Sequence, residues 1–196
     1  MLTASEGAET LLREVRQCRR CAAALPHTPR PLVQVSTTAR VLIISQAPGS
    51  RSHARGILWD DASGDRLREW LGLSAAQLAD PAAVAMLPMG LCYPGRAASG
   101  DRPPRPECAA RWHDRLLHLV PGRRLTILVG HHAQHRHLPE LRHLPMAERV
   151  RQVAHRQDLA ALPHPSWRSV LFMRRHPWFE DELLPGLRAK VAHWTR

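Results

Sequence analysis

The sequence predicts an α/β fold: a three-layer α/β/α sandwich around a central four-stranded, mostly parallel sheet. Short apolar, β-branched runs alternate with stretches of helical periodicity, and polar or glycine-bearing turns follow the best-defined runs. No internal repeat or compositional break divides the 196 residues. A chain of this length with 44% apolar content can bury one substantial core, so a single domain over 1–196 is expected.

The elements follow in order. Thr3 and Glu6 form a capping-box pattern before Leu11, Leu12 and Val15, which recur at helical spacing. A proline-rich connector, Leu25 to Pro31, leads to the first strand, Arg40 to Ser45. After the turn Gln46-Ala47-Pro48-Gly49 and a polar loop, Ser63 to Leu71 reads as a helix with Leu67, Trp70 and Leu71 inward. Ala82 to Leu87 is the second strand, and Pro94 to Pro106 is a loop rich in Gly, Pro and Arg. A helix over Glu107 to Leu119 precedes the third strand, Leu125 to Val129, and Gly130 opens the next helix, with His131 and His132 at its start. Met146 to Ala154 is a further helix, and Asp158 to Leu162 a fourth strand ending in Pro163-His164-Pro165-Ser166. Pro177 to Trp194 closes the chain as an amphipathic helix interrupted near Pro185. In such a sheet a ligand binds beyond the carboxyl ends of the strands, where three of these polar turns fall.

Charge and composition narrow the partners. The formal net charge is +11, carried almost wholly by arginine because Lys190 is the only lysine, and it favours a polyanion. The same excess of Arg, Ala, Pro and His is also what a GC-rich coding sequence produces. No run of about eighteen apolar residues is present, and the first twenty residues mix Glu, Arg and Gln. A cytoplasmic protein without membrane association, acting as a monomer, is therefore expected. Four cysteines in such a compartment point to metal or redox roles in preference to disulfides. Cys18 and Cys21 form a C-x-x-C pair, whereas Cys92 and Cys108 have fifteen residues between them. Four thiolates suit a four-iron four-sulfur cluster or a structural zinc, and one tight pair with two distant cysteines leans away from zinc. Four buried thiols acting as small hydrophobes are the remaining reading. With a metal bound, the site ties the N-terminal helix to the long loop.

The polar turns carry a resemblance. The strand ending in Ser45-Gln46-Ala47-Pro48-Gly49 resembles the first motif of the uracil-DNA glycosylase superfamily, which reads Gly-Glu-Ala-Pro-Gly in its iron–sulfur family 4 members. Gly56-Ile57-Leu58-Trp59 and Gly64 are similar in spacing to that family's Gly-x-Pro-Phe…Gly segment, and the four cysteines to its cluster ligands. Val129 to Ala133 resembles the segment after the third strand, and His164-Pro165-Ser166 the second catalytic motif.

The resemblance implies hydrolysis of the N-glycosidic bond of uracil or another damaged base in single- or double-stranded DNA, after the base is flipped into a pocket. It implies that Trp59 stacks on the base and that His164 donates a hydrogen bond to the departing base oxygen. Backbone N–H groups of Gln46 and Ala47 would line the pocket, with Pro48 and Gly49 permitting close approach. Ser166 is implied as a phosphate contact, Arg168 as a minor-groove contact, and the segment from Trp167 to Arg175 as a wedge filling the gap left by the base.

The chain departs from the family pattern at three places. Gln46 replaces the acidic residue of the first motif, Ser52-His53 replaces a Glu-Asp pair, and Pro88 stands where relatives read the base with Asn. Two substitutes lie in the first loop: His53 as a base for water, and Asp60 or Asp61 to stabilise a positive sugar. A catalytically silent DNA-binding or lesion-sensing protein on the same fold is the alternative, and a cluster protein with no DNA partner is a third.

Overall fold

The computed structural model describes residues 4–195, so Thr3 of the expected capping box lies outside the described residues. Four strands form the central sheet: β1 (Val41–Ser45), β2 (Val84–Pro88), β5 (Leu125–Val129) and β6 (Leu159–Leu162). The two-residue strands β3 (Arg96–Ala97) and β4 (Gly100–Asp101) form a separate antiparallel hairpin. The sheet order is β2-β1-β5-β6 and every pairing is parallel, with Val41 opposite both Val84 and Leu125, and Thr126 opposite Leu159. Helices flank this sheet, giving the three-layer α/β/α sandwich.

Apolar runs explain the strands. Val41 to Ile44 are buried on both faces, as a strand covered by two helical layers requires. The helices are α1 (Ala4–Arg16), α2 (Ser50–Arg55), α3 (Ala62–Leu71), α4 (Ala75–Ala79), α5 (Pro106–Leu117), α6 (His131–His137), α7 (Met146–Val153), α8 (Ser169–Arg175) and α9 (Leu184–Trp194). Leu67, Trp70 and Leu71 of α3 face inward, and Trp70 meets Phe179 edge to face at 5.0 Å. Asp61 caps α3 by accepting the Gly64 N–H at 2.9 Å, and Ser74 and Gln77 form a capping box on α4. The open edge of β2 is covered by the segment between Pro31 and β1, where Gln34 and Met86 exchange both backbone hydrogen bonds.

Four segments differ from the sequence expectation. The polar loop after Gly49 contains α2, and the loop from 94 to 106 contains the β3–β4 hairpin. The stretch from Trp167 to Arg175 is largely helix α8. Near the end of the chain a π-helical turn, Phe179–Leu183, leads into α9, so Pro185 sits in a first turn, where its missing N–H breaks no bond.

Candidate active site

Strand order positions the site. The chain leaves β1 to build β2 on one side and later returns to build β5 on the other, so the sheet changes direction of growth beside β1. At such a switch point the connections diverge and leave a crevice beyond the strand ends. A cavity of about 440 Å³ opens there, within the span of roughly 300–1,000 Å³ usual for small-molecule sites.

Gln46, Trp59 and His164 all line this cavity, together with Ala47, Pro48, Gly49, Ser166, Trp167 and Arg168. The β1 turn contributes its backbone. The Gln46 carbonyl accepts the Gly90 N–H at 2.9 Å, while the N–H groups of Gln46 and Ala47 have no hydrogen-bond acceptor among the described residues. Trp59 is held in the left-handed region at φ 58, and its carbonyl lies so close to the Gly64 α-carbon that a methyl group there would overlap it. That contact explains the glycine five residues beyond the tryptophan. The Trp59 and His164 rings stand 5.6 Å apart at 33°, and Trp59 is 9% exposed.

His164 follows β6 and lies beside Gly130, where a side chain's first carbon would stand 3.4 Å from the histidine β-carbon and where the φ of 84 itself favours glycine. Burial lowers its pKa, and the charges of Asp61 and Asp101 oppose that shift. The net direction favours a neutral imidazole, which keeps one N–H for donation. The turn behind it is clamped. Arg66 of α3 donates to the Ser166 carbonyl at 2.8 Å and the Pro165 carbonyl at 3.3 Å, and the Ser169 hydroxyl donates to the Ser166 carbonyl at 2.7 Å.

The β3–β4 hairpin forms the opposite rim. Arg168 donates to the Ser99 carbonyl at 2.9 Å, and its guanidinium also lies 5.2 Å from the ring centre of Trp167, which is 75% exposed. Asp101 lines the cavity from the hairpin, and the Tyr93 hydroxyl donates to its Oδ1 at 3.2 Å. Burial, then the Asp101 charge, raises the Tyr93 pKa, so the phenol remains a donor. Asp61 also lines the cavity, with Oδ1 engaged at the α3 cap.

Two expected site residues lie elsewhere. His53 is not in the cavity wall: its ring stands 4.5 Å from His27 and 6.0 Å from Tyr93, and its carbonyl accepts from Arg30 at 2.8 Å. Helical rotation is the reason, because Ser52, one residue earlier on α2, is the side chain that reaches the cavity. Burial and the charges of His27 and Arg30 lower the His53 pKa. Asp60 also faces away, paired with Arg55 at 2.9 Å and Arg51 at 3.8 Å. Pro88 ends β2 outside the cavity wall, its carbonyl accepting from His113 at 2.9 Å. Sequence reading missed Asp101, Tyr93 and Arg66. The first two sit in or beside a loop without periodicity, and an exposed-looking helical arginine gives no sign of its target.

A second cavity is lined by Cys18, Cys21, Cys92 and Cys108, with Leu91 and Trp112 among its walls. Cys18 follows α1, Cys92 follows β2, and Cys108 lies in the first turn of α5, where its sulfur accepts the Leu91 N–H at 3.2 Å. Burial pushes the Cys92 thiol up to about 12 and the Cys108 thiol to about 11, and it raises Cys21 as well. Among the described residues, no three Cys, His, Asp or Glu side chains converge tightly enough to hold one ion.

Fold and site together define a parallel α/β protein whose ligand cavity opens at the switch point, walled by an aromatic ring, an imidazole and two carboxylates. The uracil DNA glycosylase superfamily model matches residues 32–188, most of the chain, and the protein belongs to that superfamily. Among the described residues no helix is long and apolar enough to cross a membrane.

Proposed function

We propose that this protein is a DNA glycosylase that removes uracil or another damaged base by hydrolysing its N-glycosidic bond. The observation that carries the reading is the convergence of Trp59 and His164, rings 5.6 Å apart, on the cavity beyond β1 and β6. An extruded base stacks on Trp59 while the His164 N–H meets the base oxygen on which negative charge develops. The unpaired N–H groups of Gln46 and Ala47 supply further donors. Ser166 contacts backbone phosphate, Arg168 reaches the minor groove, and exposed Trp167 fills the gap in the stack.

The four cysteines fit a four-iron four-sulfur cluster as in the iron–sulfur family 4 enzymes. All four line one cavity, and one tight C-x-x-C pair with two distant cysteines leans away from zinc. When bound, the cluster ties the end of α1, the segment after β2 and the start of α5 into one unit. Its part in this reading is structural.

The test is base release from oligonucleotides carrying uracil and a panel of deaminated and oxidised bases. The parent is expected to leave abasic sites with at least one of them, and His164→Ala to slow release by about 100-fold or more. Equal rates for parent and variant would remove His164 from the mechanism. Salt-sensitive DNA binding with no base released from any substrate would establish the lesion-sensing alternative, which Gln46 and the displaced Pro88 favour.

A further inference from the structure

The first motif carries no carboxylate, yet the cavity holds two. On Gly49, a side chain's first carbon would stand 3.4 Å from Asp61 Oδ2 and 3.9 Å from Asp101 Oδ2. Two carboxylate oxygens from distant parts of the chain therefore approach one point of the cavity wall, where the glycine leaves room. Both acids are built alike. Asp61 has Oδ1 fixed by the Gly64 N–H at 2.9 Å, and Asp101 has Oδ1 fixed by the Tyr93 hydroxyl at 3.2 Å. In each the second oxygen is the one that faces Gly49. Asp60 is paired with Arg55 and His53 is turned aside by helical rotation, so neither competes for this role.

We propose that Asp101, carried on the β3–β4 hairpin, is the general base of base release, and that Asp61 stabilises the positive charge on the sugar. The division follows from placement. Asp61 is fixed at the start of α3 by the cap hydrogen bond to its Oδ1, a position suited to an electrostatic role. Asp101 lies outside any helix, on an arm whose Ser99 carbonyl is tied to Arg168 across the cavity mouth. Two carboxylates, one electrostatic and one basic, are what an oxocarbenium-like transition state uses. The bond between C1′ and the base nitrogen breaks with its electron pair leaving on the base, whose oxygen is held by His164. Water oxygen bonds to C1′, and its proton passes to Asp101. That proton then returns through solvent to the base nitrogen, so one water is consumed and the carboxylate is regenerated. Tyr93 is a positioning residue that acts through Asp101.

This inference rests on the glycosylase reading, and the experiment separates the two. Single-turnover base release is measured beside affinity for DNA carrying either a cationic pyrrolidine or a neutral tetrahydrofuran abasic nucleotide. Asp61→Asn, which keeps a cap acceptor, is expected to abolish the preference for the cationic sugar, and Asp101→Asn, an exposed change away from the core, to slow release about 100-fold or more. Its affinity for the neutral abasic DNA should stay within about twofold of the parent's. Tyr93→Phe should lose about tenfold in release rate with the same unchanged neutral-site affinity. An Asp101→Asn protein that releases base at the parental rate overturns the assignment while the glycosylase reading stands. A parent that releases no base sinks that reading. In that case a cationic preference that Asp61→Asn abolishes still supports the charge assignment, and no preference overturns it.

Discussion

Trp59 and Gly64 act as one unit. The tryptophan takes a backbone conformation that side chains rarely adopt, and the glycine lets α3 close against its carbonyl. Gly64→Ala places a methyl group on that oxygen, so either the α3 start or the Trp59 turn has to shift. The expected result is a loss of about 2 kcal/mol or more in stability, with base release reduced beyond what the stability loss explains. Urea unfolding beside the oligonucleotide assay checks both parts. A second residue-scale prediction concerns the histidines behind the site. Burial depresses His137 to about 4 and lowers His113, and their rings stack 6.1 Å apart. In the unfolded chain each titrates near 6.5. Above that pH both states are neutral and stability is complete. As pH falls from about 6.5 toward 4 the unfolded chain takes up protons that the folded protein refuses, so stability declines through that window. His137 is partly exposed, and after discounting for solvent screening its share is on the order of 2 kcal/mol. Urea midpoints at pH 7 and pH 4.5 should show the decline, and His137→Gln should flatten it.

At the scale of elements, the turn after β6 is held by helix α3 as well as by its own residues. Arg66 donates to two successive carbonyls of that turn, and removing it leaves the Pro165 carbonyl without a donor and the Ser166 carbonyl with those of Ser169 alone. Arg66→Ala is expected to cost about 1–3 kcal/mol and to lower the rate of base release by tenfold or more, with DNA affinity little changed. Arg66→Lys should recover part of the stability and less of the rate, because a point charge does not reproduce the planar fork. A variant equal to the parent in both measurements would remove the clamp from the account. The hairpin is the element that sequence reading had no means to find. Strands of two residues carry no periodicity, and their pairing is decided by Gly100 at φ 125 and by the Arg168–Ser99 contact across the cavity. The longer strands were legible because β1, β2 and β5 are each five residues buried on nearly every side chain, a pattern that a two-sided parallel sheet demands. Helix α2 was not legible, since six polar and small residues with one buried side chain give no apolar stripe.

Across the whole molecule, a net charge of +11 predicts that DNA affinity falls steeply with salt. Between about 50 and 200 mM salt, Kd should rise by at least tenfold, with log K falling linearly against log salt. A slope near zero would remove the phosphate contacts from the account. The cysteine cavity joins the α1 end to the loop that carries the hairpin, so its occupancy bears on the active site at a distance. Protein purified without oxygen is expected to be brown, with iron and acid-labile sulfide in equal amounts. Cys92→Ser should bleach it and lower thermal stability. One zinc per chain and no colour would replace the cluster with a structural zinc.

The sequence alone determined the strands that can be buried on both faces and the turns that end them. The resemblance of its polar turns to the superfamily's motifs also pointed to Gln46, Trp59 and His164 as residues of one site and to the four cysteines as one group, because motif residues and their chain order are carried by the sequence. Only the tertiary structure decided which acids face the cavity. His53 and Asp60 sit in the expected segment, yet one is turned aside by helical rotation and the other by two arginines. Asp101 arrives from a distant hairpin. A side chain's direction and its ion partners depend on what packs against it, and that information is not carried by its neighbours in sequence.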